Sequence, residues 1–298
     1  MGRISRGWAL AGQSWRVLKS DKSLVVFPLL STIFAILAMV AIWVPAAAVR
    51  GVFEGREVDD NDPVFYIAGL TTAYVSTFIA IFFNVALAAC AARSMRGEDT
   101  KVGEGIRAAA RVIGPILGWT LVTTTVGLIL RALEERLPYV GRIVAGITGV
   151  AWAIATFFVI PVVALEGTGP FRSLRRSAEV VKARWGESAT GAATIGLATF
   201  LITLAIVLVG TIGFGALGEI GLQPLGVAVL VAAVVAALVV SLVSTALSQI
   251  FRVALYQYAV TGHAVGGFEG PLLQSAFEGR GGVTGFDPYN RHLPPGIV

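Results

Sequence analysis

Between Arg3 and Val260 one pattern recurs three times: a short basic segment with helical apolar spacing, then two long apolar runs. Each run is long enough to cross the hydrocarbon core of a bilayer, which takes roughly 20 apolar residues as a helix. Hydrocarbon offers no water to backbone N–H and C=O groups, so such runs fold as helices that satisfy their own hydrogen bonds. The runs cover residues 24–49, 64–91, 112–130, 140–165, 189–210 and 225–249. They predict an all-α, polytopic membrane bundle of six transmembrane helices, with three or four amphipathic interfacial helices between and after them. Residues 1–265 form one six-span domain in this reading, and the Gly- and Pro-rich 266–298 a partly disordered tail.

Charge sets the orientation. Six crossings put both termini on one face, and 18 of the 23 Lys and Arg residues fall on that face. The positive-inside rule therefore places both termini in the cytoplasm. Only 14% of residues are charged, against about a quarter in a soluble domain, so lipid is the expected solvent. The net charge of +5 does not point to nucleic acid, because the cations flank the spans and do not gather on one soluble domain. Cys90 is the single cysteine, which excludes an intramolecular disulfide and a cysteine metal cluster. The first 20 residues are amphipathic with two Trp, unlike a secretory signal, and read as retained. Ala46-Ala47-Ala48 imitates a cleavage site, but the run from Leu24 is too long for a signal's apolar region and reads as an anchor.

The interfacial segments carry the most specific spacing. In the first, Ile4, Trp8, Ala11, Trp15 and Leu18 recur at alternating steps of four and three, with Arg3, Arg6, Gln13, Arg16 and Lys19 around the rest of the wheel. The second sets Val102, Ile106, Ala109 and Ile113 against Glu104, Arg107 and Arg111. The third sets Phe171, Leu174, Ala178, Val181 and Trp185 against Arg172, Arg175, Arg176, Glu179 and Lys182, with Pro170 suited to the first turn. A partial fourth copy follows at Pro271, Leu272, Leu273, Ala276 and Phe277. The even spans also end in one triplet: Val85-Ala86-Leu87, Val163-Ala164-Leu165 and Val253-Ala254-Leu255. Together these predict a threefold parallel repeat of interfacial helix plus hairpin.

Gly114-Pro115-Ile116-Leu117-Gly118-Trp119, Phe158 to Pro161, and Glu166-Gly167-Thr168-Gly169-Pro170 leading into Arg176-Ser177-Ala178 and Arg184-Trp185-Gly186-Glu187 resemble an uncharacterised family of prokaryotic six-span membrane proteins. The opening Arg3 to Trp8 and Ser14-Trp15-Arg16 fit the same pattern, so the likeness covers roughly 1–265. More distantly, the Glu-Gly-x-Gly-Pro element is similar to the membrane domain attached to some glycerophosphodiester phosphodiesterases. The resemblance implies a membrane-embedded helical module in a prokaryotic cytoplasmic membrane, and no activity.

The chemistry-bearing residues are sparse. His263 and His292 both lie in the C-terminal region, and no HExxH, paired-cysteine or carboxylate–histidine cluster occurs. No metal or cofactor is implied. Polar groups at midplane are costly and stand out where they serve catalysis or ion coupling; the span interiors hold no Asp, Glu, Lys, Arg or His. The acidic loop with Glu54, Glu57, Asp59, Asp60 and Asp62 lacks the glycine and terminal glutamate of a calcium loop and reads as a solvated turn. Gly213-x-Gly215-x-x-Gly218 matches a dinucleotide fingerprint only nominally, since it lies in an outer stretch between two spans and not after a strand. Mild polarity remains: Asn84, Thr123, Thr124, Thr125, Ser241, Ser244, Ser248 and Gln249. Asn84, Thr124, Gln249 and the kink expected at Pro161, with Glu166 and Arg252 at the ends of even spans, make a candidate intramembrane niche. Trp8, Trp15, Arg16, Phe171, Arg172, Arg175, Arg176, Lys182 and Trp185 make a candidate surface for anionic lipid or a membrane-protein partner. The expected function is a non-catalytic scaffold or accessory subunit; the alternative is a permease or lipid-handling transporter using the niche.

Overall fold

A computed structural model describes residues 3–55, 62–136, 140–184, 190–219, 221–263 and 268, with side-chain detail from Gly12 onward except at 140–143, 183, 184 and 190–195. Its elements are α1 (Arg3–Ser20), α2 (Ser23–Val49), a 3₁₀ turn (Val52–Glu54), α3 (Pro63–Ser94), α4 (Val102–Arg111), α5 (Ile113–Arg136), α6 (Val140–Ala155), α7 (Val159–Glu166), α8 (Pro170–Arg184), α9 (Thr190–Glu219) and α10 (Gln223–Thr261). Six stretches are long and apolar enough to cross a membrane: α2, α3, α5, the α6–α7 pair over Val144–Glu166, α9 from Gly196, and α10. The all-α six-span architecture is thus the one the apolar runs predict.

Local chemistry sets the element ends. Asp62 caps α3, its carboxylate accepting from the Val64 N–H at 2.9 Å with Pro63 in the first turn. The same carboxylate pairs with Arg50 at 2.5 Å across the α2–α3 loop, and that hydrogen bond holds it below the usual carboxylate range. Residues 56–61 of the acidic loop lie outside the described residues. The fourth span breaks at Thr156–Phe158, one turn before Pro161, which has no N–H to offer the Phe157 carbonyl. This is the kink expected at that proline. The Phe158 N–H is instead satisfied by the Ser177 Oγ of α8 at 3.0 Å.

Two boundaries differ from the sequence reading. The outer stretch from Gly210 is not a loop, because α9 continues through it to Glu219. Its glycines serve close packing: a Cβ at Gly210 would stand 2.5 Å from Ala233 Cβ, and one at Gly213 would stand 3.0 Å from Val229 Cγ1. Small residues let the backbones of α9 and α10 approach where lipid supplies no hydrophobic drive. The sixth span, expected to end at 249, runs as helix to Thr261. Much of the extra length is apolar and buried, Ile250, Phe251 and Val253 to Leu255 among it, with Arg252 and Gln257 partly buried.

The core gathers at the end of the bundle that carries α1, α4 and α8. Val85, Ala86 and Leu87 of α3, Val163 of α7, and Val253, Ala254 and Leu255 of α10 are all fully buried in one cluster; of the middle triplet Ala164 packs against it and Leu165 is exposed. Within the second hairpin Trp119, part of that cluster, stacks on Trp152 with centroids 5.7 Å apart. Farther along the first hairpin Trp43 stacks near Phe65 and donates to Thr72 Oγ1 at 3.0 Å. Each short helix rests on the hairpin that precedes it: α4 on α2 and α3, and α8 on α5, α6 and α7. Helix α1 rests on the last described hairpin, α9 and α10. The fourth interfacial copy at 271–277 lies outside the described residues.

Helix α4 seats through Gly105, where a Cβ would stand 2.6 Å from Phe27 Cζ, 2.7 Å from Cys90 Sγ and 2.9 Å from the Ala86 carbonyl oxygen. Gly105→Val must move backbone as well as side chains, and overpacking of this kind costs roughly 1–3 kcal/mol. The expected outcome is a lowered melting temperature in mild detergent, whereas Gly103→Val, facing open space, leaves it within error.

Candidate functional site

The short helices divide their side chains into an inward row and an outward row, and the division differs from the apolar-versus-charged one. In α8 the fully buried residues are Ser173 and Ser177, followed by Val180 and Val181. Ser173 Oγ donates to the Thr168 carbonyl at 2.9 Å, and Ser177 Oγ receives the Phe158 N–H, so small hydroxyls dock the helix on the broken fourth span. In α1 the buried row is Gln13, Ser14, Val17 and Leu18. The i, i+4 pair Gly105 and Ala109 takes the equivalent place in α4. That spacing of small residues, shared by Ser173 and Ser177, was the readable signal of the docking face; the aromatic and branched residues drew attention away from it.

The residues left outward are the ones assigned to a lipid or partner surface. Phe171 is 73% exposed and Trp15 46%. Arg16, Lys19, Arg172, Arg175 and Lys182 are exposed as well. Arg175 pairs with Glu179 at 2.9 Å within its own helix, a contact of small energetic value at an exposed site. Arg176 is the exception in this group. It turns inward toward Glu166 at 3.4 Å, and its side chain is only 13% exposed. Burial works against its charge, but the Tyr256 and Glu166 neighbours outweigh that and hold the guanidinium above its ordinary range. The side chain of Trp8 and the whole of Trp185 lie outside the described side chains and residues.

The intramembrane niche does not form as one site. Asn84 lines a cleft of about 170 Å³ between α2, α3 and α10, with Pro28, Ser31, Thr32 and Thr245. Thr124 is on α5, where its hydroxyl and that of Thr123 are buried without a hydrogen-bond partner. Pro161 is buried in the break of the fourth span. Glu166 and Arg252, both placed in the candidate niche at the ends of even spans, have separate partners. Glu166 Oε1 accepts from Tyr256 and from Arg176, whereas the Arg252 guanidinium lies 5.0 Å over the Phe157 ring, its Nε without a partner. Gln249 is buried at 3% exposure with its Nε2 unpaired. Tyr256 was missed because a tyrosine past the apparent end of a span carries no sequence signal until the helix is known to continue.

The Glu166 carboxylate thus ties α7 to α8 and α10. Removing it leaves the mostly buried Arg176 guanidinium with the neutral Tyr256 hydroxyl and no counter-ion, and a buried charge that loses its partner costs more than the roughly 1–3 kcal/mol of a neutral group. Glu166→Ala is expected to destabilise the purified protein more than Tyr256→Phe, which takes a hydroxyl from Glu166 and Arg176 but leaves their ion pair in place. Thermal unfolding of both variants in one detergent measures the order.

A family profile described as a family of unknown function, DUF6159, matches residues 64–268. The match begins at α3 and closes on Phe268, a residue 5% exposed within the core cluster. No curated protein and no solved structure matches, so the distant likeness to the phosphodiesterase membrane domain finds no support.

Proposed function

We propose that this chain, which belongs to that family of unknown function, is a non-catalytic membrane scaffold or accessory subunit whose short helices lie on an anionic cytoplasmic leaflet. The observation that carries the proposal is the outward row. The fold uses Ser173, Ser177, Val180 and Val181 to seat α8 and leaves Phe171, Arg172, Arg175 and Lys182 facing away from it. An aromatic beside several exposed cations suits a headgroup boundary: the ring reaches the acyl region while each cation contributes about 1 kcal/mol toward anionic headgroups. Helix α1 repeats the arrangement with Trp15, Arg16 and Lys19. The excess of Lys and Arg on this face supports its placement on the cytoplasmic side. The alternative reading, a permease or lipid-handling transporter, would have to open a path past the buried cluster around Val85, Val163 and Val253.

Two experiments test the proposal. In bilayers of mixed phosphatidylglycerol and phosphatidylcholine, the full-length protein is expected to retain phosphatidylglycerol preferentially on extraction. The triple variant Arg172→Gln, Arg175→Gln, Lys182→Gln loses about 3 kcal/mol of attraction, on the order of a hundredfold in preference if the charges act independently. Equal preference in wild type and variant sinks the electrostatic reading. For orientation, Cys90→Ala carrying one new cysteine is treated in sealed cells with an impermeant thiol reagent. Glu54→Cys is expected to react and Arg175→Cys to be spared; the reverse result inverts the topology.

A further inference from the structure

The cleft between α2, α3 and α10 has a chemistry distinct from the apolar surface around it. Ser31, Thr32, Asn84, Ser241 and Thr245 contribute polar atoms to its wall, with Phe83 beside them. Three of its donors are committed, whereas the Ser31 and Ser241 hydroxyls remain able to donate as well as accept. Thr32 Oγ1 donates to the Pro28 carbonyl at 3.0 Å, Thr245 Oγ1 to the Ser241 carbonyl at 2.9 Å, and Asn84 Nδ2 to the Ala80 carbonyl at 2.8 Å. Because an amide oxygen cannot donate to a carbonyl, the last bond fixes the Asn84 amide, leaving Oδ1 to accept. The hydroxyl lone pairs of Thr32 and Thr245 are acceptors in the same way. The wall is rich in acceptors and carries no charge.

Depth narrows the ligand. At ~1.5 Å per residue, Ser31 lies about 12 Å along α2 from Ser23, and Asn84 about 15 Å along α3 from Ser94, well inside the apolar stretches. The cleft is partly open, and Ser241 and Thr245 on its rim are exposed. An occupant arriving from the bilayer needs a hydrogen-bond donor, no charge to desolvate, and a head small enough for about 170 Å³ with its chains left outside. We infer that this cleft binds the head of a neutral hydroxyl-bearing lipid of the diacylglycerol kind, the hydroxyl donating to Asn84 Oδ1 or to the Thr245 hydroxyl. Without that donor the acceptors face hydrocarbon unpaired, which is the cost that gives the site its selectivity.

The test uses the full-length protein in phosphatidylcholine bilayers with a photoactivatable diacylglycerol. Two control lipids bear the same photoactive chain: one with the hydroxyl capped as a methyl ether, one with a phosphate in its place. Diacylglycerol is expected to label peptides containing Phe83 or Ser241, to be competed by unlabelled diacylglycerol, and to exceed the capped lipid. Asn84→Leu and Thr245→Val each reduce the labelling about fivefold, the worth of one net hydrogen bond. Thr245→Val is on the exposed rim and keeps the side-chain shape, so it carries the test if Asn84→Leu does not fold. Equal labelling by the hydroxyl and capped lipids, stronger labelling by the phosphate lipid, or labelling unchanged in both variants overturns the inference.

Discussion

Close packing of α3, α7 and α10 at the end that carries the short helices is the contact on which the rest of the structure depends. Within hydrocarbon, apolar helices gain little by leaving lipid for one another, so association there rests on small residues and interhelical hydrogen bonds. The hairpins show it: Gly210 and Gly213 against α10, and the Thr199–Ser244 hydroxyl pair between α9 and α10. Where helices leave the hydrocarbon, water restores the hydrophobic drive. Helix α10 runs to Thr261, and its last turns bury Phe251, Val253, Ala254, Leu255 and Tyr258. The strongest cohesion in the bundle therefore lies at one end, and the spans are held together from there.

That arrangement explains the order of the short helices. Each rests on the hairpin before it, covering the exposed ends of two spans. The last hairpin has no short helix after it among the described residues, and α1 takes that position. The chain thereby closes a ring by joining its first helix to its last pair. Asp21, in the two-residue link from α1 to α2, fastens the closure to the neighbouring unit: its carboxylate accepts from the Ser23 N–H at 3.1 Å and from Thr100 Oγ1 in the α3–α4 loop.

Much of this was legible in the sequence, for a specific reason. Span length, the proline kink and the recurring Val-Ala-Leu triplets follow from rules that act on single segments, and the structure shows the break before Pro161 and one cluster that holds the first and last triplets and Val163 of the middle one. What was not legible depends on which segments meet. The face that docks α8 is marked by Ser173 and Ser177, which a hydropathy wheel assigns to the polar side. The candidate niche drew Asn84, Thr124, Glu166 and Gln249 together because each is polar in an apolar run, yet they sit on four different helices and face different neighbours. A single-segment rule also stopped the sixth span at 249, since Gln249 and Arg252 look like the start of solvent. Both are in fact inside the packed end, Arg252 over the Phe157 ring.

The division between inward and outward polarity bears on what the chain can do. Where an inward charge has specific partners, as Glu166 has in Tyr256 and Arg176, it fixes geometry. The outward cations have weak partners or remain exposed, as Arg175 does with Glu179, and so they are free to follow the ionic composition of the surface beside them. A bundle cemented at its core and adjustable at its rim can hold a fixed shape while its lipid or protein neighbours exchange. Any opening at that end has to part the buried cluster that includes Val85, Val163 and Val253, whereas exchange of neighbours at the rim does not.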